Sequence, residues 1–345
     1  MNRFRPASGS VEEQLAQRGV SRRDFIKFCA GMTATLALPM RFTRDIAAAL
    51  GSTLSSTLRP PLIWLEFQDC TGDTESFLRS SNPTVTELLL DTLSVNYHET
   101  LMVPSGQFAE RSRAETIAMY PGQYICVVEG SIPMRDGGIY CTIGGRTALD
   151  IAREVCGSAR ATIAVGSCSW DGGIAAAAPN FTGAVGVRDA VPGIQNLVNL
   201  PGCPVNVVNL AATIVHLLTY NQLPPRDSQG RPLFAYGDEI HEECERHDHY
   251  EHDRFVRAWG DVGHQNGWCL YQMGCRGPET KHNCPSVRWN DGTSWPVRAG
   301  HGCIGCTSPH FWDQMSPFYV PLPDTRANSE DDYRQANAPA EAAKP

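Results

Sequence analysis

Four short runs rich in apolar residues, Leu62–Phe67, Gln123–Glu129, Ala161–Val165 and Leu197–Leu200, mark the first two-thirds of the chain. None alternates cleanly with period two. Each therefore reads as a strand of a parallel sheet buried on both faces. Between them, Thr84–Leu93, Thr147–Cys156 and Val205–Leu218 place apolar residues at helical spacing. The last of these follows "PGCP" and stops before "NQLPP", a turn signal. Strands alternating with helices from about Pro60 to Tyr236 predict an α/β domain with a mostly parallel sheet. From His241 to about Phe318 the periodicity fades, and Gly, Pro, Trp, His and Cys accumulate. Such a segment has too little regular patterning to hold itself together and predicts a loop-rich region stapled by metal centres. The closing "RANSEDDYRQANAPAEAAKP" is polar and reads as a disordered tail.

The N-terminus reads as an address. Arg22 and Arg23 stand in "SRRDFIKF", an apolar stretch follows from Phe28 to Met40, and small residues come next in "AAALGS". That pattern predicts a twin-arginine export signal over about residues 1–50, cleaved between Ala47 and Ser56. A plain amphipathic helix is the weaker alternative. The stretch is shorter than the ~20 residues that span a bilayer, and no later stretch reaches that length. The expected product is a periplasmic protein exported folded, with any membrane association coming through a partner.

Composition narrows the chemistry. The 345 residues carry a net charge of -8, and no basic stripe offers a nucleic-acid surface. Thirteen cysteines are too sparse for a disulfide scaffold, and their odd number resists complete pairing. Metal ligation by a subset is the leading explanation.

The cysteines fall into groups. Cys70, Cys168 and Cys203 each follow a predicted strand, so a parallel sheet brings all three to the edge beyond the strands' carboxyl ends. A [4Fe–4S] cluster usually takes four ligands. Asp73 stands where the second thiolate of a C-x-x-C hook would be. By spacing alone it is equally a fourth ligand or an N-cap for the helix that follows. A second group is His241 and Cys244 in "HEEC", with Cys269 and Cys275 in "WCLYQMGC"; one imidazole and three thiolates suit a [4Fe–4S] cluster or tetrahedral zinc. A third is Cys284 with Cys303 and Cys306 of "HGCIGC", three ligands that suit a [3Fe–4S] cluster. Pro296 falls between them and cannot ligate. Cys29 lies in the signal, and Cys126, Cys141 and Cys156 default to core packing. No ligand role is assigned to the other histidines between His247 and His310.

Taken together, "GSIPMRDGGIYC", "GSCSWDGG", "FTGAVG" (with Phe181 where Pro is common), "PGCPVN", "FAYG", "HEECER", "GWCLYQMGCRGPET", "NCPSVRWN" and "GHGCIGC" resemble the small, electron-transferring subunit of [NiFe] hydrogenases. The resemblance covers nearly all of Pro60–Phe318 and the export signal. It implies a flavodoxin-like domain over 58–236 and an irregular iron–sulfur domain over 237–322, followed by the tail 323–345. It implies a proximal [4Fe–4S] cluster on Cys70, Cys168 and Cys203, with Asp73 fourth. It implies a distal [4Fe–4S] cluster on His241, Cys244, Cys269 and Cys275, and a medial [3Fe–4S] cluster on Cys284, Cys303 and Cys306, accompanied by Pro296. Most relatives have Cys at the Asp73 position; some use three Cys and one Asp, which tips the balance toward Asp73 as a ligand. The extra cysteines of the best-known oxygen-tolerant type are missing, with Thr71 and Gly173 in the places where they would stand.

The implied function is one-electron relay from a nickel–iron large subunit, where H2 is split, to a cytochrome or other redox acceptor near His241. No residue here is expected to act on hydrogen itself. The alternatives are a non-catalytic iron–sulfur carrier for another oxidoreductase, and a secreted protein holding zinc or disulfides.

Overall fold

The computed structural model describes residues 10–17, 19–56, 59–79 and 92–320. The chain divides into two compact units, Met1–Gly237 and Asp238–Pro345.

In the first unit, five strands form one all-parallel sheet: β1 (Pro61–Glu66), β2 (Ser94–His98), β3 (Ile125–Glu129), β4 (Ala161–Val165) and β5 (Leu197–Leu200), in the order β2-β1-β3-β4-β5. That is the doubly wound order of flavodoxin-like folds. The strands behave as their unbroken apolar runs require, since every residue of β1, β3, β4 and β5 is buried. Alternate side chains separate into two cores. Leu62, Trp64, Ile125, Val127, Ile163 and Val198 face one, and Ile63, Leu65, Cys126, Val128 and Ala164 face the other. Strand β2 is the one the hydrophobic pattern missed, because "SVNYH" is half polar and its first three residues are only partly buried.

The longer helices position the loops: α1 (Val11–Gln17), α2 (Arg22–Thr35), α3 (Thr43–Ser55), α4 (Gly72–Leu78), α5 (Gln107–Met119), α6 (Ala148–Ser158), α7 (Gly166–Asp171) and α8 (Val207–Tyr220). Thr147 caps α6 through the Asp150 N–H (3.1 Å), and Asn206 caps α8 through the Val208 N–H (3.0 Å). Asn221 in the left-handed region (φ 54°) ends α8. The helix expected over Thr84–Leu93 falls almost wholly outside the described residues, as does the polar tail.

The N-terminal stretch is not extended. Helices α1–α3 bury Leu15, Phe25, Phe28, Met32, Leu36, Ile46, Leu50 and Leu54 in the same core as α8. Each such side chain contributes about 1.5–3 kcal/mol when taken out of water.

The second unit is built from turns and helices of three to five residues, as the loss of periodicity predicted. Its core is Ile240, Val256, Trp268, Leu270, Met273, Trp295 and Val297, interleaved with Cys275, Cys284 and Cys303.

Ile163 is fully buried at the centre of β4. Ile163→Ala is expected to cost about 2–5 kcal/mol, read as a Tm lowered by several degrees in a thermal melt.

Candidate functional site

The carboxyl ends of β1, β4 and β5 lead into three segments that carry the cysteines: Cys70 in the turn before α4, Cys168 inside the short helix α7, and Cys203 in the loop after β5. Hydrogen bonds tie these segments together. The Ser167 N–H donates to the Gly202 carbonyl (2.8 Å), and the Gly202 N–H donates to Ser167 Oγ (3.1 Å). Ser76 Oγ of α4 donates to the Val205 carbonyl (2.7 Å).

Asp73 joins them. It lies inside the first turn of α4, whose N-cap is Thr71, so it does not cap the helix. Its Oδ1 instead accepts the Val205 N–H at 2.5 Å, two residues past Cys203. Its Oδ2 lies against Gly166, two residues before Cys168; a Cβ on Gly166 would fall 2.0 Å from it, and Gly166 has φ +78°. The Asp73 carboxyl is thus wedged between the other two segments. Burial and the Glu129 charge push its acid upward, and the Val205 N–H opposes them. A metal cation at the site would reverse the balance. Burial, with Asp73 and Cys70 as neighbours, pushes the Cys168 thiol up to about 12, against the pull of the Ile174 N–H. Gly173 has no room for a side chain, because a Cβ there would sit 2.6 Å from Cys168 Sγ.

Sequence reasoning missed the acidic residues behind this edge. Glu129, at the end of β3, accepts the Asp73 N–H (3.0 Å), the Thr74 N–H (3.1 Å), Thr74 Oγ1 (2.6 Å) and Trp64 Nε1 (3.1 Å). It fixes the first turn of α4 on the sheet. Glu66, Asp69 and Glu129 each bring a carboxylate oxygen within 4.8 Å of the other two. Burial and this mutual repulsion raise Glu66, and raise Asp69 to about 7; burial first also raises Glu99 to about 7. His98, 3.8 Å from Glu66, is lowered to about 4 by burial, so its ring is neutral and stacks on Trp64 at 5.0 Å. The available signal was an acid at the end of each of two strands, Glu66 and Glu129.

In the second unit, His241, Cys244, Cys269 and Cys275 line one cavity with Leu270, Tyr271, Pro278 and Val297. The His241 ring packs edge-on against Tyr250 (4.4 Å) and His247 (4.7 Å). Cys284, Cys303 and Cys306 are mutual electrostatic neighbours. The two groups touch where the Cys303 N–H donates to Cys275 Sγ at 3.2 Å. Gly302 permits this approach, since a Cβ there would lie 3.0 Å from the Cys275 Cα. Pro296 is exposed between buried Trp295 and Val297.

The donor chemistry fits iron–sulfur centres. Burial pushes Cys244 to about 11 and Cys269 to about 12, and raises Cys284 and Cys303 further. Such thiols carry charge only beside a cation. Backbone N–H groups nonetheless aim at sulfur, Arg246 at Cys244 (3.4 Å) and Gly305 at Cys303 (3.3 Å), and the Trp289 side chain hydrogen-bonds Cys284. These are the hydrogen bonds that tune cluster sulfurs. Among the described residues, no group of three donors that includes a cysteine lies within 4.8 Å of one another, whereas ligands of one tetrahedral zinc with bonds of about 2.3 Å would.

Comparison with known proteins decides the family. Residues 236–319 match the C-terminal family of the NiFe/NiFeSe hydrogenase small subunit, and residues 70–217 match the NADH ubiquinone oxidoreductase 20 Kd subunit family. The chain is 46% identical over 289 residues to the Hydrogenase-2 small chain of Escherichia coli K12, covering 84% of this chain and 76% of that one. It is 44% identical over 310 residues to the periplasmic [NiFe] hydrogenase small subunit 1 of Nitratidesulfovibrio vulgaris, covering 90% and 96%. This chain belongs to the [NiFe] hydrogenase small-subunit family. The reduced, active Ni-Fe-Se hydrogenase of Desulfomicrobium baculatum has a chain that superposes with TM-score 0.71 and 37% identity, covering 77% of the small subunit described here and 100% of the solved chain. As a hydrogenase small subunit the protein is the iron–sulfur, electron-transferring partner of a large subunit in an H2 oxidoreductase.

Two outcomes follow from this geometry. Gly166→Ala drives a methyl into the Asp73 carboxyl and should lower the iron content per small subunit while the signals of the other centres persist in electron paramagnetic resonance. Glu99 is raised from 4.5 to about 7, so its stabilising effect is present below 4.5 and lost as pH rises through 7. The isolated small subunit should therefore melt at lower temperature at pH 8 than at pH 5, and Glu99→Gln should flatten that dependence.

Proposed function

We propose that the small subunit holds three iron–sulfur clusters: a proximal [4Fe–4S] cluster on Cys70, Asp73, Cys168 and Cys203, a medial [3Fe–4S] cluster on Cys284, Cys303 and Cys306, and a distal [4Fe–4S] cluster on His241, Cys244, Cys269 and Cys275. When bound, these groups supply one-electron transfer between the large subunit's hydrogen chemistry and an external acceptor, a cytochrome or another redox protein. The observation that carries the reading is the convergence of the Cys70, Cys168 and Cys203 segments, with the Asp73 carboxyl held between two of them. The chain's own residues bury Cys269, Cys275, Cys284 and Cys303 away from water, leave Cys70 and Cys203 exposed at the sheet edge, and aim backbone N–H donors at Cys244, Cys275 and Cys303. His241 is a neutral ligand, which raises the distal potential relative to four thiolates. The Cys303 N–H to Cys275 contact gives the medial and distal ligand sets a direct link.

Residues 1–50 are proposed as a twin-arginine leader, 58–236 and 237–322 as the two cluster-bearing domains, and 323–345 as a tail. The N. vulgaris relative is named periplasmic, and this chain is assigned the same compartment. Among the described residues no helix is long and apolar enough to cross a membrane.

In the heterodimer, Asp73→Ala should abolish the proximal cluster's signal and H2-dependent dye reduction. Asp73→Cys should keep the cluster with a changed spectrum and potential. If neither variant alters spectrum or potential, Asp73 is not a ligand. Replacing Arg22 and Arg23 together by Lys should leave active enzyme in the cytoplasm, scored by fractionation; undiminished export would refute the leader.

A further inference from the structure

The sequence of α8, VVNLAATIVHLLTY, is apolar around nearly its whole circumference, and Asn209–Val215 and Leu217 are all buried. A helix of that kind needs cover on every side. The sheet supplies one side through Leu62, Trp64, Ile125, Val127, Ile163 and Val198. Helices α2 and α3 supply another, with Phe25, Phe28, Met32, Leu36, Ile46, Leu50 and Leu54 joining Leu210, Ile214 and Leu217 in one continuous cluster. The Phe42 ring meets Tyr220 of α8 edge-on at 6.4 Å. The segment is also packed on itself. Thr33 Oγ1 and Thr43 Oγ1 hydrogen-bond at 3.0 Å, and a Cβ on Gly51 of α3 would lie 3.3 Å from Val11 of α1.

The paired arginines do not share in this burial. Ser21 caps α2 through the Asp24 N–H (3.1 Å), and Arg22 and Arg23 follow at its exposed start. Just beyond them the helix turns inward at Phe25, Phe28, Cys29 and Met32, a helical stripe.

We propose that the outer face of α8 is an interaction surface whose occupant in the folded precursor is this chain's own segment Val11–Ser55, docked so that its apolar stripe is hidden and Arg22 and Arg23 are displayed. The proposal rests on the leader reading above. Its consequence is a leader that presents its charged motif from a closed protein and gives up its apolar stretch only on undocking. On the leader reading this stripe is the apolar region of the signal, so docking keeps it out of reach until the segment is released.

Cys29 reports the docking, because it is wholly buried in the contact, and burial pushes its thiol up to about 12. It is also the single cysteine before Cys70. The cluster-loaded precursor, retained in the cytoplasm by R22K/R23K, is pulsed with a maleimide, and Cys29 is read by peptide mass spectrometry. Cys29 is expected to label at least about a hundredfold more slowly than in the same protein unfolded in guanidinium. Ile46→Asp, which places a charge at a fully buried position of α3, should return labelling to near the unfolded rate without changing H2-dependent dye reduction. Amides of residues 207–220 should exchange faster in the leaderless chain than in the precursor. Labelling of Cys29 at the unfolded rate in the folded precursor, or equal exchange of 207–220 with and without the segment, would overturn the proposal. Failure of the leader reading has a separate signature: exported protein whose mass still includes α1–α3, with Cys29 protected.

Discussion

Everything at the proximal edge depends on burying a parallel sheet on both faces. Strands that run the same way end on the same side, so loops distant in sequence arrive together without any local pattern to pair them. Cys70, Cys168 and Cys203 are separated by 98 and 35 positions, yet each is the product of the same rule: an apolar run ends and the chain turns out at the carboxyl edge. The Asp73 carboxyl, bonded to the Val205 N–H and pressed on Gly166, converts that coincidence of direction into one fixed site.

The second unit solves the same problem by different means. It has few regular elements to bury, so its core is completed by Cys275, Cys284 and Cys303 among Trp and Leu side chains. Buried thiols without a cation are protonated and inert. With N–H donors aimed at their sulfurs, they are prepared for charge that a metal cluster must balance. The cysteines proposed as ligands are therefore also core residues there, in a segment that lacks the periodicity of an ordinary domain.

Charge and cover complete the picture in the first unit. Behind the proximal loops, Glu66, Asp69 and Glu129 crowd together beside His98, and burial with mutual repulsion raises Glu66 and raises Asp69 to about 7. On the other side of the sheet, α8 is too apolar for one neighbour, and the N-terminal helices complete its cover. The same residues that would serve as an export leader's apolar stretch thus also serve as packing.

The sequence alone determined the parts whose signal is local. Ala161–Val165 and Leu197–Leu200 were legible to the residue, because strands buried on both faces leave no polar alternation, and the helices around α6 and α8 were legible within about two residues at each end. The motifs around the cysteines were enough to identify the family, and cysteine spacing suggested the ligand groups proposed above. What the sequence could not decide was side-chain direction across long separations. Spacing left Asp73 balanced between a cap and a ligand; the fold places it inside the first turn of α4, with Val205, 132 residues away, as its partner. Nor did it disclose that Glu129 anchors that turn, that Cys303 touches Cys275 through its N–H, or that α1–α3 lie on α8. Those contacts are set by which surfaces meet once the strands are stacked and the apolar faces are buried, and burial between distant segments leaves no periodicity in either one to read.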